Sequence, residues 1–410
     1  IIYIVLALTF GYTMIVAETA IGRMTRKSPV GAFKSFGKKK WLSFGGWINA
    51  VIPVLIVPYY SVIGGWVIKY LVEYFRGNAK QLAEDGYFTD FISNGVSTEL
   101  CFMAFCAFTL IIIFAGVQNG IERVSKIMMP ILIVLSVIIA VYSVTRPGAL
   151  AGVKYFLVPN VKNFSWMTVV SAMGQMFYSL SIAMGILITF GSYMKKDTAI
   201  EDSTRNVEVF DTGIAIMAGL MIIPAVFAFS GGDPNTLQAG PSLMFITIPK
   251  VFQNMGFGTV IGIVFFLLVL FAAVTSSIAL TESAVSTFED ELGWGRKKAT
   301  VLVGVIMLAL GSLSSLGYGP LAGIKIIGMQ FLDLFDFLTN SVMMPIAALL
   351  TSLLVSRVVG IDKIEDEIIH GESAFRRKKV FVVMIKYLCP VFAIIILLSS
   401  VANALGWIKM

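Results

Sequence analysis

Long apolar stretches separated by short polar segments run along the entire chain. About ten of them approach or exceed the roughly 20 apolar residues that a helix needs to cross a bilayer. They are Ile2–Ile21, Leu42–Phe75, Cys101–Val117, Ile127–Val144, Trp166–Tyr193, Phe210–Phe229, Gly256–Phe288, Ala299–Leu313, Gly328–Val355 and Val380–Val401. No stretch alternates as a barrel strand would, and only helices and closed barrels satisfy the backbone in lipid. The pattern therefore predicts an all-α, polytopic transmembrane helical bundle.

The composition indicates a lipid rather than an aqueous environment. Hydrophobic residues make up 57% of the chain and charged residues 13%, and the mean hydropathy is +0.87. A surface that faces water needs more polar residues than this. We therefore expect a multi-pass integral membrane protein surrounded by the lipid bilayer.

The net charge of +7 does not indicate a nucleic-acid partner, because the basic residues fall in alternate loops rather than on one face. The loop after the first stretch contains no acid and the basic residues Arg23, Arg26, Lys27, Lys34, Lys38, Lys39 and Lys40. By the positive-inside rule this loop is cytoplasmic. The basic residues at 195–196, 296–298 and 376–379 then lie on the same side.

Two acidic residues stand within or beside apolar stretches. Asp211 opens the predicted helix that runs on to Pro224, and Asp336 lies in a run of apolar residues followed by Asn340. An ionisable group inside a membrane costs about 2.5–3.5 kcal/mol on insertion scales, so each is a candidate functional residue. The alternative is that each caps a helix or pairs with a lysine at the interface.

Hydroxyl groups cluster in two of the predicted helices. Helical spacing places Ala272, Thr275 and Ser276 on one face, where oxygen atoms could bind a small hard cation such as sodium. Back-bonding to the helix and close helix packing explain such residues equally well. The segment 175–185 mixes hydroxyls, small residues and aromatics. It could unwind and free backbone groups for ligands, or form a plain packed helix.

Motifs of enzymes are absent from the sequence. It has no P-loop, Cys-x-x-Cys or G-x-S-x-G motif in a fitting context. The three cysteines and the single histidine, His370, lack the spacing of zinc ligands. We therefore expect a protein that is not an enzyme.

Several ordered segments resemble one family. They are Glu18–Arg23, Pro58–Tyr60, Gly120–Arg123, Gly174–Ser181, Ala272–Ala279 and Phe288–Leu292. In this order and spacing the chain resembles the neurotransmitter:sodium symporters, particularly their bacterial amino-acid transporters. The resemblance implies sodium-coupled symport of amino acids by alternating access in the bacterial cytoplasmic membrane.

The resemblance also implies an inverted-repeat, leucine-transporter-like fold in one transmembrane domain, residues 1–410. The spans present would be the family's second to eleventh, so we expect its first helix to lie outside this chain. Residues 1–165 would be the rest of the first repeat, 166–357 the second repeat, and 358–410 a cytoplasmic loop with the eleventh helix.

The resemblance assigns a substrate pocket to eight residues: Ile56, Tyr60, Tyr178, Ser179, Ser181, Met184, Ser276 and Leu280. The Tyr60 hydroxyl would contact the substrate carboxylate, and Tyr178 would close over the pocket as an outer lid. The flexible thioether of Met184 can repack around a larger side chain, which favours large hydrophobic or aromatic amino acids.

Two sodium sites are implied, each incomplete without the first helix. Ser179 and Asp211 would belong to the first site; Ala272, Thr275 and Ser276 would belong to the second. Tyr3 matches a tyrosine of the family's anion region.

The gates implied are Tyr60, Tyr178 and Asp336 on the outside and Asp290, Ser192, Tyr193 and Glu282 on the inside. The arginine partners of Asp336 and Asp290 would lie upstream of Ile1. We therefore expect both acids to be left without a partner and this chain not to transport alone.

Two other functions remain open from the sequence. The fold could serve a sensor or channel that does not transport, because fold alone does not fix function. It could also carry another small organic solute with sodium. Tyr60 distinguishes an amino-acid transporter from this second alternative, because its hydroxyl suits the α-carboxylate of an amino acid.

Overall fold

The computed structural model describes residues 1–160, 164–233, 240–404 and 407. In chain order its helices are α1 (Ile2–Thr25), α2 (Pro29–Lys34), α3 (Lys40–Phe75), α4 (Ala79–Leu82), α5 (Tyr87–Ser93), α6 (Gly95–Phe114), α7 (Val117–Val144), α8 (Ala149–Leu157), α9 (Trp166–Ser179), α10 (Ile186–Tyr193), α11 (Ile200–Ser230), α12 (Leu243–Gln253), α13 (Gly258–Leu292), α14 (Arg296–Leu316), α15 (Phe331–Val359), α16 (Ile361–Ile369) and α17 (Lys378–Asn403).

Within the described residues, nine helices are long and apolar enough to cross a membrane. They correspond to nine of the predicted stretches, and the tenth, Trp166–Tyr193, forms the two shorter helices α9 and α10. The all-helical transmembrane bundle predicted from the sequence is confirmed.

Several helices begin before the apolar stretch that predicts them. α11 starts at Ile200 instead of Phe210, and its first turn contains Glu201 and Asp202, which favour a helix N-terminus. Asp211 therefore lies well inside α11, and the prediction that it opens this helix was wrong. The charged turns do not end the helix, because its backbone hydrogen bonds continue beyond the hydrocarbon core of the membrane.

The long helices pack in two groups. α3 lies against α6, α13 and α14, and α6 also contacts α14. In the second group α1 packs along α10 and contacts α11. The two groups meet where α10 contacts α13 and where α2 contacts both α3 and α1. The broken helix therefore lies at the junction between them.

A short helix occupies the segment between α15 and α17. The sequence predicts a cytoplasmic loop from residue 358 to the eleventh helix, but Ile361–Ile369 is helical. Ile364 and Ile368 are spaced by one turn and both are fully buried. The acids between them face outward or bind basic partners, so this helix packs by a narrow apolar edge that a hydropathy scan over long windows does not find.

Candidate substrate and ion site

The fifth predicted span is interrupted in the middle of the bundle. α9 ends at Ser179 and α10 begins at Ile186. Between them Ser181, Ala183 and Gly185 have positive φ angles of 55°, 58° and 70°. Residues other than glycine rarely adopt this conformation unless the surrounding structure holds them there. The break interrupts the regular helical hydrogen bonds, and the first N–H groups of α10 have no acceptor within their own helix.

A carboxyl group from α1 supports this break. Glu18 is fully buried, and its Oε1 accepts a hydrogen bond from the Ala183 N–H at 2.8 Å. Glu18 belongs to one of the segments that resemble the family, but no role in the site was predicted for it. The signal that could have found it is an ionisable residue at membrane depth, which is costly unless it is used.

A cavity of about 440 Å³ adjoins the break. All eight predicted substrate residues line it: Ile56, Tyr60, Tyr178, Ser179, Ser181, Met184, Ser276 and Leu280. Gln175, Ile186, Thr275, Ala279 and Met129 line it as well. The volume is in the range of small-molecule sites, and the wall is mainly apolar with hydroxyl groups at the break.

A second cavity of about 500 Å³ lies outward of the first. Tyr178 and Gln175 line both cavities, and Tyr59 and Asp336 line the outer one. Tyr178 therefore lies between the two cavities, and its role as a lid stays a prediction.

Asp211 joins α11 to the broken helix and to α1. Its Oδ1 accepts a hydrogen bond from the Ser179 hydroxyl at 2.7 Å, and its Oδ2 accepts one from the Tyr3 hydroxyl at 2.7 Å. The structure thus brings together the two residues predicted for the first sodium site and the tyrosine predicted for the anion region. A carboxylate and a hydroxyl are the oxygen donors that sodium, as a small hard cation, prefers.

The residues predicted for the second sodium site are neighbours on α13. The Thr275 hydroxyl donates to the Ala272 carbonyl at 3.0 Å and to the Phe271 carbonyl at 3.1 Å. Thr275 therefore bonds back to its own helix, which is one of the two alternatives that the sequence left open. These bonds also hold two of the predicted ligand oxygens 3.0 Å apart, and the exposed Ser276 side chain faces the cavity.

The acid predicted for the outer gate has partners. Asp336 Oδ1 accepts a hydrogen bond from the Tyr59 hydroxyl at 3.1 Å and another from the Asn340 side chain. The prediction that Asp336 is left without a partner was therefore wrong. Its hydrogen-bond donors are neutral: Tyr59 lies on α3, and Asn340 lies one turn further along α15. Sequence spacing could predict only the Asn340 contact, because residues four apart on a helix are neighbours.

The inner end of the site is held by an ion pair. Glu282 on α13 is fully buried and binds both Nη atoms of Arg296, at 3.0 and 2.5 Å. The Tyr193 hydroxyl donates to Glu282 at 2.7 Å. Arg296 Nε also donates to the Ile113 carbonyl at 3.0 Å. Sequence reasoning named Tyr193 and Glu282 but used Arg296 only to orient the chain.

The other two predicted inner-gate residues lie apart from this ion pair. Asp290 accepts a hydrogen bond from the Ser28 N–H at 2.5 Å, at the start of α2, so it also is not left without a partner. The Ser192 hydroxyl donates to the Thr189 carbonyl at 2.7 Å, and the Ser192 carbonyl accepts a bond from Arg26 at 3.1 Å. Helix N-termini have free N–H groups that a carboxylate can accept from, which explains the Asp290 contact.

Comparisons with known proteins identify the family of this chain. The sequence model of the sodium:neurotransmitter symporter family matches residues 72–407. The uncharacterized sodium-dependent transporter YhdH of Bacillus subtilis (strain 168) is 32% identical over 404 residues, which cover 98% of this chain and 89% of that protein. The human sodium- and chloride-dependent GABA transporter 2 is 24% identical over 432 residues, covering 89% of this chain and 68% of that protein.

A solved structure has the same fold. The crystal structure of MhsT in complex with L-phenylalanine superposes with a TM-score of 0.87 at 32% sequence identity, and the match covers 97% of this chain and 90% of MhsT. Family and fold are those of secondary transporters, not of enzymes. The chain therefore belongs to the sodium:neurotransmitter symporter family, as a multi-pass, sodium-coupled membrane transporter.

Proposed function

We propose that this symporter carries large hydrophobic or aromatic amino acids with sodium across the cytoplasmic membrane. The observation that carries the proposal is the cavity of about 440 Å³ at the helix break, lined by all eight residues predicted for the substrate. MhsT, which has the same fold, was solved with L-phenylalanine. No covalent step is required, because transport needs only binding and a change of access.

The chemistry of the cavity suits an amino acid with an apolar side chain. The Tyr60 hydroxyl can donate a hydrogen bond to a carboxylate, and so can the N–H groups in the first turn of α10, which have no acceptor within the helix. Ile56, Met184 and Leu280 supply apolar lining for the substrate side chain. Met184 can adjust its three rotatable bonds to rings of different size.

Two sodium sites accompany the substrate in this proposal. Ser179 and Asp211 contribute to the first, where Tyr3 orients the carboxylate. The Ala272 carbonyl with the Thr275 and Ser276 hydroxyls contributes to the second. Both clusters offer oxygen ligands beside the cavity, so ion binding can favour the substrate-bound conformation.

The gates lie at the two ends of the cavity. Tyr60, Tyr178 and Asp336 close the outer end in this proposal, and the Glu282–Arg296 pair with Tyr193 closes the inner end. Residues 1–165 and 166–357 act as the two inverted repeats. Opening one end while the other stays closed moves the substrate and sodium across the membrane.

Uptake by the full-length protein in proteoliposomes tests this function. We expect an inward sodium gradient to drive accumulation of radiolabelled tryptophan or phenylalanine, and potassium in place of sodium to abolish it. Unlabelled leucine, tyrosine and tryptophan should compete, whereas glutamate and lysine should not. Uptake that does not need sodium, or the absence of competition by any aromatic amino acid, would refute the proposal.

A further inference from the structure

The segment 360–377 between α15 and α17, which we name the cytoplasmic connector, binds the second helix group. It lies on the side of the basic loops, which is cytoplasmic by the positive-inside rule. Its helix α16 packs against α1. Ile364 and Ile368 are fully buried, so the contact includes an apolar core as well as polar bonds.

Arg23 makes the first junction between the connector and the bundle. It is fully buried at the cytoplasmic end of α1, and its Nε donates to Glu367 Oε1 at 2.7 Å. Nη2 donates to the Glu367 carbonyl, and Nη1 donates to the Thr198 carbonyl at 2.5 Å. One guanidinium thus joins α1, the connector and the loop that precedes α11, in a planar arrangement that lysine could not reproduce.

Glu201 makes a second junction among the same three elements. It lies in the first turn of α11 and is 5% exposed. Its Oε1 accepts bonds from the Tyr12 hydroxyl of α1 and from the Arg377 N–H at 3.1 Å. Its Oε2 accepts from the Arg376 N–H at 2.7 Å. Both oxygens of one carboxylate are therefore committed to the connector.

Separating these elements would be unfavourable. Pulling Glu367 away from Arg23 would leave an unpaired charge in a buried site, and moving the connector from Glu201 would leave two backbone N–H groups without an acceptor. The connector can instead pivot where it leaves α15, because Gly360 has φ of +89° and no neighbour within 4 Å of the position of a Cβ.

We propose that Arg23 and Glu201 are positioning residues that tie the connector to the cytoplasmic ends of α1 and α11, so that the three move as one unit during transport. The connector then follows the helix group that contains the broken helix, and the change of access occurs between that group and α3, α6, α13 and α14. This inference rests on alternating access and is independent of which amino acid is carried.

A cross-link between the connector and α11 tests whether they move together. Arg376 Nη1 and Asp202 Oδ1 are 3.3 Å apart, and both side chains are more than half exposed. Arg376→Cys and Asp202→Cys can be joined by a flexible bis-methanethiosulfonate reagent in the full-length protein. We expect the linked double variant to keep at least half of its unlinked sodium-driven uptake. A block of uptake by the link would overturn the proposal.

Two controls are needed to interpret the cross-linking result. The reagent should not change uptake by the wild-type protein, in which Cys101, Cys106 and Cys389 are present. Linking Thr189→Cys to Ser286→Cys, whose hydroxyl oxygens are 3.4 Å apart in the wild type, joins α10 to α13, which belong to different groups, and should stop uptake relative to the same variant without the link. If that link also left uptake unchanged, relative motion of the two groups would be refuted, and with it both this inference and the proposed mechanism.

Replacing the buried pair tests the positioning role directly. In the double variant Arg23→Met with Glu367→Met the junction is lost without leaving a buried charge. We expect sodium-dependent substrate binding within about threefold of wild type, while the uptake rate falls about tenfold. A parallel loss of binding, uptake and melting temperature would assign the pair to stability alone, and unchanged uptake would show that the junction is dispensable. Either result would overturn the proposal.

Discussion

Glu18 is a side chain on which the broken helix depends. Its Oε1 accepts the Ala183 N–H at 2.8 Å in a fully buried site. Replacing Glu18 with alanine leaves this N–H without an acceptor, which costs about 1–3 kcal/mol. We expect Glu18→Ala to lower the melting temperature in detergent and to weaken substrate binding.

The matched variant is Glu18→Gln, because a glutamine oxygen can still accept the Ala183 N–H. We expect it to melt close to the wild-type protein and to retain binding, as judged by a fluorescence melting assay and by scintillation proximity with labelled substrate. If Glu18→Gln were as damaging as Glu18→Ala, the charge of Glu18 and not its hydrogen bond would be the important property.

Asp211 accepts hydrogen bonds from two hydroxyl groups. We expect its replacement to weaken sodium binding more than substrate binding. Hydrogen bonds to charged groups contribute about 1.5–3 kcal/mol, which corresponds to about tenfold or more in affinity. Asp211→Ala should therefore raise the half-saturating sodium concentration about tenfold or more. Tyr3→Phe, which removes one of the two donors, should have a smaller effect.

Binding of labelled substrate at a series of sodium concentrations measures both variants. If Asp211→Ala reached half-maximal binding at the same sodium concentration as the wild-type protein, Asp211 would be excluded from the ion site. A larger shift in Tyr3→Phe than in Asp211→Ala would be equally hard to reconcile with the proposed arrangement.

The sequence predicted which side chains line the site more successfully than it predicted their hydrogen-bond partners. All eight residues that the family resemblance assigns to the substrate line one cavity. It could not show that Tyr59 binds Asp336 or that Ser28 binds Asp290, since these pairs join distant parts of the chain. Arginine partners outside the chain were expected for both acids, and the structure shows that each also accepts hydrogen bonds from neutral donors within the chain.

The bend between α9 and α10 depends on a glycine. Gly185 has φ of +70°, and an added Cβ would lie 2.7 Å from Pro29 Cγ and 2.8 Å from the Asn49 carbonyl oxygen. The left-handed conformation alone costs a residue with a Cβ about 1–2 kcal/mol. We expect Gly185→Ala to lower the melting temperature clearly and to reduce substrate binding.

Gly174→Ala is the matched control in the same broken helix. Gly174 lies within α9, and a Cβ there would have no neighbour within 4 Å. Alanine is a better helix former than glycine by about 1 kcal/mol, so the control should melt at the wild-type temperature or slightly above it. Equal melting temperatures for the two variants would show that the packing around Gly185 is not restrictive.

Helix positions followed from hydropathy more readily than helix ends or interruptions. The apolar stretches locate the spanning helices, but α11 begins at Ile200 because charged residues continue it beyond the hydrocarbon. The break after Ser179 has no proline to mark it. It depends on tertiary contacts with Glu18, Pro29 and Asn49, which a local pattern does not contain.

Across the whole molecule, the cytoplasmic connector makes stability depend on pH through Glu372. Burial, together with the nearby Glu201 and Asp202, raises the pKa of Glu372 above its usual value of 4.5. The folded protein therefore binds this proton more tightly than the unfolded chain does. The contribution to stability is complete below pH 4.5 and decreases as the pH rises through the higher pKa of the folded state.

Glu372→Gln should therefore stabilise the protein near pH 8 and have little effect near pH 4.5. The group is partly exposed, so the expected gain in melting temperature near pH 8 is only about 1–2 °C. Melting curves of both proteins across this range measure the difference. A gain that grows as the pH falls would show the opposite sign of the pKa shift.

The broken helix also constrains the order in which the protein is assembled. α9 contains 14 residues and α10 contains 8, and neither half alone reaches the roughly 20 residues that cross a bilayer. During biosynthesis the two halves must enter the membrane together, as one continuous apolar segment. The Ala183 N–H meets Glu18 only after α1 has docked, and exposed backbone is unfavourable in lipid until then. The unwound segment is therefore a late product of folding, completed when its neighbours are already in place.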